Sequence, residues 1–296
     1  MKTFLNSILY GDCLDTLPRF DPDWIDLVVT SPPYDNLRDY HGYHFDCPSV
    51  AKALYRVLKP GGVVVWVVAD SVVDGGESGT SFRQALTFQD AGFRIHDTMI
   101  YEKNTCSFPA NRKGNRYSQT FEYMFVFSKG KPKTASLLID KPNKWAGTTN
   151  WGKNTDRGRD GQLRLKQDIK PVEEFSPRNN VWRYVPEYEK DEDAEDIVAS
   201  EVRRYIVGGG FGQKDKSAYK HPATFPIALA EDHILTWSKP GDVVLDPMCG
   251  SGTSCLAAQR LDRPFIGIDM AKEYCDLACR RLKCPCISFR SERIAG

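Results

Sequence analysis

The chain has 296 residues, 41% hydrophobic and 27% charged, with 40 Lys and Arg against 39 Asp and Glu. That composition excludes a disordered, collagenous or fibrous protein and fits one large domain or two modest ones. No stretch approaches the roughly 18 apolar residues of a membrane helix, the opening MKTFLNSILYGDCLDTLP leads us to expect no secretory signal, and nine Cys, an odd number, point to a reducing cytosol rather than a disulfide scaffold.

Periodicity predicts a strand over residues 4–10, a short helix after Gly11-Asp12, and a buried strand over 25–29. That strand ends at Ser31-Pro32-Pro33-Tyr34, where two prolines exclude a helix. A helix is predicted over 49–58 with Ala51, Leu54, Tyr55 and Leu58 on one face, closed by Lys59-Pro60-Gly61-Gly62 before the apolar run 63–68. A helix around 82–91 and strands near 95–101 and 121–127 complete a first α/β region, and residues 131–214 show little hydrophobic periodicity. Then follow a helix over 226–237, a turn at 239–242, a strand over 243–245 ending in Asp246, a glycine turn, a helix over 253–260, a strand over 265–268 ending in Asp269, and a helix over 272–282. Strand, glycine turn, helix, strand and acid form half of a doubly wound, mostly parallel α/β sheet. The chain therefore divides at 1–130, 131–214 and 215–296.

The near-neutral total hides a strong asymmetry. Residues 101–183 carry 17 Lys and Arg against 8 Asp and Glu, a net of +9, whereas 184–201 carry 8 acids and only Lys190, a net of −7. A basic, loop-like block containing Trp145, Trp151 and Trp182 suits a polyanion-reading surface, although a solvated insertion has the same composition. The acidic run reads as a solvated loop.

Asp246-Pro247-Met248-Cys249-Gly250-Ser251-Gly252-Thr253 places two glycines at a strand-to-helix turn, where backbone N–H groups and a helix N-terminus favour an anionic group or ribose oxygens. Asp269, 23 positions after Asp246, is placed to accept hydrogen bonds from a ribose diol. Neither Gly-x-Gly-x-x-Gly nor Gly-x-x-x-x-Gly-Lys-Ser/Thr is present, which sets NAD and ATP aside. Ser31-Pro32-Pro33-Tyr34 follows a buried strand, so it belongs at the carboxyl edge of the sheet. Its prolines remove two N–H donors and leave the Ser31 hydroxyl and Pro32 carbonyl as acceptors. Those acceptors suit an exocyclic aromatic NH2, with Tyr34 able to stack on a base.

These two motifs together resemble the DNA amino-methyltransferases that use S-adenosylmethionine, marked by (Asp/Asn/Ser)-Pro-Pro-(Tyr/Phe) and Asp-Pro-x-x-Gly-Ser-Gly-Thr. The catalytic motif comes first and the cofactor motif 215 positions later, the order of the permuted β group. The resemblance covers residues 4–130 and 215–282. It implies a Rossmann-like methyltransferase sheet with an inserted, largely irregular target-recognition region, and direct attack by the amine of a flipped base. Gly11-Asp12 resembles the segment whose acid meets the adenine amine of the cofactor. His221-Pro222-Ala223 with Phe225-Pro226 resembles the motif lining its methionine end. Lys103-Asn104 and Phe121-Glu122, with Pro109 and Arg116 between them, look like the target-base pocket and its flanking loop. The family's recognition segment falls on the basic block, making Lys103, Arg112, Lys113, Arg116, Trp145, Trp151, Arg157, Arg159 and Arg164 the candidates for double-stranded DNA. A prokaryotic or phage cytoplasmic enzyme is implied, and a cognate restriction endonuclease and a homodimer stay open as partners.

In that family, Ser in the first position of the tetrapeptide goes more often with cytosine N4 and Asp with adenine N6. N4-cytosine is therefore expected here, with N6-adenine as the alternative. A non-catalytic nucleic-acid-binding protein on the same fold would have no need of both motifs, and methyltransferases of RNA or protein glutamine usually place the proline motif after the cofactor motif. Carbon-5 methylation needs a thiolate near the tetrapeptide, but Pro285-Cys286 lies far away in sequence. The spacing of Cys275, Cys279, Cys284 and Cys286 is not a usual zinc pattern, so no metal is expected, and His41 and His44 receive no role.

Overall fold

The computed structural model describes residues 4–33, 45–103, 117, 119–149, 155–165, 170–185, 202–204 and 225–289. In chain order the first half contains β1 (Ser7–Tyr10), α1 (Cys13–Thr16), β2 (Ile25–Thr30), α2 (Cys47–Val57), β3 (Leu58–Val68), β4 (Val72–Val73), β5 (Gly76–Glu77), α3 (Thr80–Asp90), β6 (Arg94–Lys103) and β7 (Phe121–Ser128). The middle contributes β8 (Ile139–Pro142), β9 (Thr155–Arg157), β10 (Leu163–Leu165), β11 (Phe175–Pro177), β12 (Val181–Val185) and β13 (Val202–Arg204). Last come α4 (Ile227–Trp237), β14 (Val244–Asp246), α5 (Thr253–Arg260), β15 (Phe265–Asp269), α6 (Lys272–Leu282) and β16 (Cys286–Ser288). The helices of the last third lie within a residue of their predicted bounds, because Pro226, Gly252 and Lys283 mark their ends.

Apolar runs such as Val63-Val64-Val65-Trp66-Val67-Val68 have no polar face to offer water, so their strands must be covered on both sides. They are central in a ten-stranded sheet of order β13-β12-β6-β7-β3-β2-β14-β15-β1-β16. All neighbours run parallel except β7, which opposes both β3 and β6. Alternate residues feed two cores. Leu27, Val29, Val63, Val65 and Val67 pack with α4, α5 and α6 on one face, while Val28, Val64, Trp66 and Val68 pack with α2 and α3 on the other. Phe88 of α3 stacks on Phe127 at 4.4 Å, and the buried Trp66 donates its indole N–H to Gln84 at 2.8 Å. No helix among the described residues is long and apolar enough to cross a membrane.

The middle region is more ordered than its pattern predicts. β12 pairs in parallel with β6 and so extends the main sheet. An ion-pair cluster fastens it to α4: Arg178 donates to Asp232 at 2.8 Å and to Asp140 at 3.1 Å, and the Tyr184 hydroxyl donates to Asp232 at 3.2 Å. Asp232 is fully buried, so these donors satisfy a charge that water cannot reach. Burial beside Arg178 holds the neighbouring His233 at about 3, neutral at any working pH.

β15 passes so close beneath the second glycine turn that only Gly267 fits. A Cβ there would stand 2.6 Å from Ile8 Cδ1 and 2.9 Å from both Cys249 Sγ and Cys255 Sγ. Gly267→Ala is expected to lower unfolding stability by about 1–3 kcal/mol through overpacking, read as a reduced midpoint in chemical denaturation with an unchanged slope.

Candidate active site

β2 and β14 are neighbours, with Leu27 opposite Val244 and Val28 opposite Leu245. Their carboxyl ends therefore emerge side by side, one leading into Ser31-Pro32-Pro33 and the other into the 246–253 turn. Thr30 closes the junction: its hydroxyl donates to Asp246 Oδ1 at 2.7 Å in a fully buried setting. Farther along the same edge, β15 ends in Asp269, and β1 leads through Gly11 into Asp12, with the Gly11 N–H donated to the Asp269 carbonyl at 2.9 Å. Asp12, Asp269, Asp246 and Ser31 thus stand at the ends of four consecutive strands, β1, β15, β14 and β2.

The turn is built by left-handed glycines, Gly250 at φ 50° and Gly252 at φ 78°. Gly252 caps α5, and a Cβ on it would press against Ala278 and Leu282 of α6 at 3.0 and 3.1 Å. The sequence reading assigns the turn's N–H groups to a ligand. Instead, four of them bond within the protein: Met248 to Asp246 at 3.2 Å, Cys249 to Ile268 at 2.8 Å, Gly250 to Asp269 Oδ2 at 2.8 Å and Gly252 to Cys249 at 2.7 Å. So sharp a turn satisfies these four amides from within the protein. Arg281 of α6 donates to the Ser251 carbonyl and pins the turn from behind.

Asp269 accepts from the N–H groups of Gly250 and Ala271 at 2.8 and 2.9 Å, which leaves lone pairs on both oxygens for ligand hydroxyls. Asp12 caps α1 through Leu14 N–H at 2.8 Å. Burial pushes Asp246 up to about 6 against the Thr30 hydrogen bond, and burial likewise pushes Asp269 up to about 6 against its backbone donors. The charge of Asp269 adds to the rise at Asp246, and that of Glu273 to the rise at Asp269.

The other predicted residues divide. Pro226 is buried at the start of α4 and Phe225 packs on the core beside it. The Cys249 thiol is buried toward Gly267 and Cys255, so this residue offers the site its backbone rather than its sulfur. Pro247, Ser251 and Thr253 complete the turn, with the Ser251 and Thr253 hydroxyls 3.5 Å apart. Lys103 is ion-paired with the buried Glu122 where β6 ends and β7 begins. Its surroundings are a carboxylate rather than open solvent, because the antiparallel partner strand starts beside it. Trp145 is exposed beneath the Lys144 ammonium, and Arg157, Arg159 and Arg164 lie on an exposed ribbon. Tyr34, His41, His44, Asn104, Pro109, Arg112, Lys113, Arg116, Trp151, His221, Pro222, Ala223 and the acidic run lie outside the described residues. Among the described residues, no group of three or more His, Cys, Asp and Glu is placed to hold a metal. Sequence reasoning overlooked Thr30 and Arg281. A polar residue ending an apolar strand was the available signal for Thr30, and Arg281, 30 positions from Ser251, had none.

Three acids at adjacent strand ends, with Ser31-Pro32-Pro33 beside them, suit a cationic, hydroxyl-bearing ligand. S-adenosylmethionine, which carries a sulfonium, an ammonium and a ribose diol, is a ligand of that kind. The DNA methylase family model of the N6/N4 type matches residues 25–280. The chain belongs to this family of amino-methyltransferases, with the β-group motif order, and S-adenosylmethionine is its cofactor. It is 49% identical over 259 residues to the orphan methyltransferase M.BamHII of Bacillus amyloliquefaciens, covering 88% of this chain and 89% of that one. It is 26% identical over 317 residues to the type II methyltransferase M.SmaI of Serratia marcescens, covering 93% and 90%. Its fold is similar to the cytosine-N4-specific PvuII DNA methyltransferase (TM-score 0.60, 21% identity, 96% and 95% covered) and to M1.HpyAVI in complex with SAM (TM-score 0.55, 22% identity, 93% and 98% covered).

The raised carboxyls give the site a pH signature. Between the ordinary value of 3.8 and about 6, the folded protein holds protons on Asp246 and Asp269 that the unfolded chain has lost. Stability of the cofactor-free protein from these groups therefore falls as pH rises through that window and is level above it. A cofactor held by the charged forms of Asp246 and Asp269 should show a Kd that rises up to about tenfold per pH unit, for each proton displaced, as pH falls below 6. Calorimetric titration at pH 5.0–7.5 measures this, and the cofactor-induced rise in Tm should be larger at pH 7.5 than at pH 5.5. Thr30→Val removes a donor from Asp246 and should weaken binding and move its pH midpoint upward.

Proposed function

We propose that the protein methylates the exocyclic N4 amine of cytosine in duplex DNA. The observation that carries this reading is the alignment of Asp12, Asp269, Asp246 and Ser31 on four consecutive strand ends, which sets a cofactor-sized row of acids beside an acceptor-rich proline turn. Asp269 accepts the ribose hydroxyls, Asp12 the adenine amine, and Phe225, Pro226 and the 246–253 turn line the rest of the cofactor. When bound, the cofactor supplies an electrophilic methyl group on a sulfonium.

The Ser31 hydroxyl and the Pro32 carbonyl accept the two N–H bonds of the target amine. That draws its lone pair out of conjugation with the ring and localises it on the nitrogen, and Tyr34 stacks on the base. Such a base has left the duplex, at a cost of a few kcal/mol in unstacking. The +9 block at 101–183 compensates by neutralising phosphates. Cytosine is favoured by the family preference that pairs Ser in the first position of the tetrapeptide with cytosine N4 and Asp with adenine N6, and PvuII methyltransferase, a structural neighbour, is cytosine-N4-specific.

Incubation with methyl-labelled cofactor and unmodified genomic DNA, followed by digestion to nucleosides and mass analysis, should give labelled N4-methylcytosine. Label in N6-methyladenine would overturn the choice of base and keep the enzyme class, whereas no label in DNA would overturn DNA as the substrate. Ser31→Ala should slow methyl transfer about 100-fold with cofactor Kd little changed. Asp269→Ala should instead raise that Kd most, and an unchanged Kd would remove Asp269 from the cofactor site.

A further inference from the structure

We infer that the β9–β10 ribbon is a base-reading element, entering the major groove with the face that carries Arg157 and Leu163. This rests on the reading of the chain as a DNA methyltransferase and assigns its sequence discrimination to particular side chains. The ribbon is a two-stranded antiparallel sheet that pairs with no other strand among the described residues. A lone two-stranded ribbon is marginal in water, yet it has the dimensions that the major groove admits.

Its register decides which face can meet DNA. Directly opposed residues share a face, so Arg157 lies with Leu163 and Asp156 lies with Arg164. Arg164 is also ion-paired with Asp160 across the turn. On that face the one arginine is already engaged by a carboxylate. The opposite face has Arg157 and a Leu163 side chain left 62% exposed, with no acid among its paired residues.

The turn is rigid enough to aim these groups. The Gly158 N–H donates to the Gln162 carbonyl at 2.9 Å, Gly161 donates back to Gly158 at 2.9 Å, and Gln162 N–H donates to Asp160 at 3.1 Å. Arg157 uses one guanidinium N–H on the Gly161 carbonyl at 3.2 Å, which leaves four donors for a partner. An arginine fork with an apolar neighbour matches the acceptor pair of guanine beside a thymine methyl.

The test uses the full-length protein on long amplified DNA of known sequence, with modified positions mapped to obtain the methylated motif. Rates are then compared between that motif and its single-base variants. Arg157→Ala and the charge-keeping Arg157→Lys are each expected to lose about 10- to 100-fold of the discrimination at one position, and Leu163→Ala to lose less. Arg164→Ala should keep the wild-type discrimination ratio. The inference is overturned if Arg157→Lys retains full discrimination, or if Arg157→Ala weakens all sequences equally and only flattens the salt dependence, as a phosphate contact would. It also falls if the wild type methylates without any motif, while methyl transfer to DNA itself stands. Absence of transfer by the wild type would instead overturn the underlying reading together with the inference.

Discussion

The pairing of β2 with β14 and the buried Thr30 to Asp246 hydrogen bond bring together residues 216 positions apart, and every other feature of the site is arranged around that junction. Open α/β sheets bind ligands where strand order reverses, outside the carboxyl ends of the strands. Here the chain leaves β2 toward β3 on one side and returns through β14 on the other, so the crevice opens between the proline turn and the glycine turn. A slip of one residue in that register would turn Thr30 away from Asp246 and reverse the faces of both buried strands. Burial on two sides therefore enforces the alignment of the two motifs more strongly than any contact within the loops.

Electrostatics at the site follow from the same burial. Asp246 and Asp269 are charged only at some cost in the cofactor-free protein, because burial removes water faster than Thr30, Gly250 and Ala271 replace it. A positively charged, hydroxyl-rich ligand supplies what is missing. The arrangement favours such a ligand over an anionic one, consistent with turn amides that bond to the protein rather than point outward. Rigid backing from α6, through Arg281, Ala278 and Leu282, keeps the turn in place while the carboxylates do the selecting.

The middle region has two mechanical characters. β12 is part of the main sheet and is tied to α4 by the buried Arg178, Asp232 and Tyr184 cluster, so its attachment to the catalytic domain is rigid. Among the described residues, the β9–β10 ribbon pairs with no other strand.

Much of this was legible in residues 4–103 and 226–282. Buried parallel strands announce themselves as apolar runs, and Pro226, Gly250 and Gly252 mark where the chain must turn, whereas Gly61-Gly62, expected as a turn, lie within β3 at an irregularity of its pairing with β2. The middle was not legible, because its short strands are held by long-range pairing and ion pairs rather than by periodicity, and the join of β12 to β6 has no local signature. By itself the sequence determined the element order, the two motifs and the types of group the chemistry needs, since those depend on local patterns and side-chain identity. Only the tertiary structure decided that Asp246 is held by Thr30, that four of the turn's amides bond within the protein, that Lys103 faces Glu122 and that Arg157 and Arg164 lie on opposite faces. Each of these is set by which strand lies beside which, a property of sheet register that no local stretch of sequence contains.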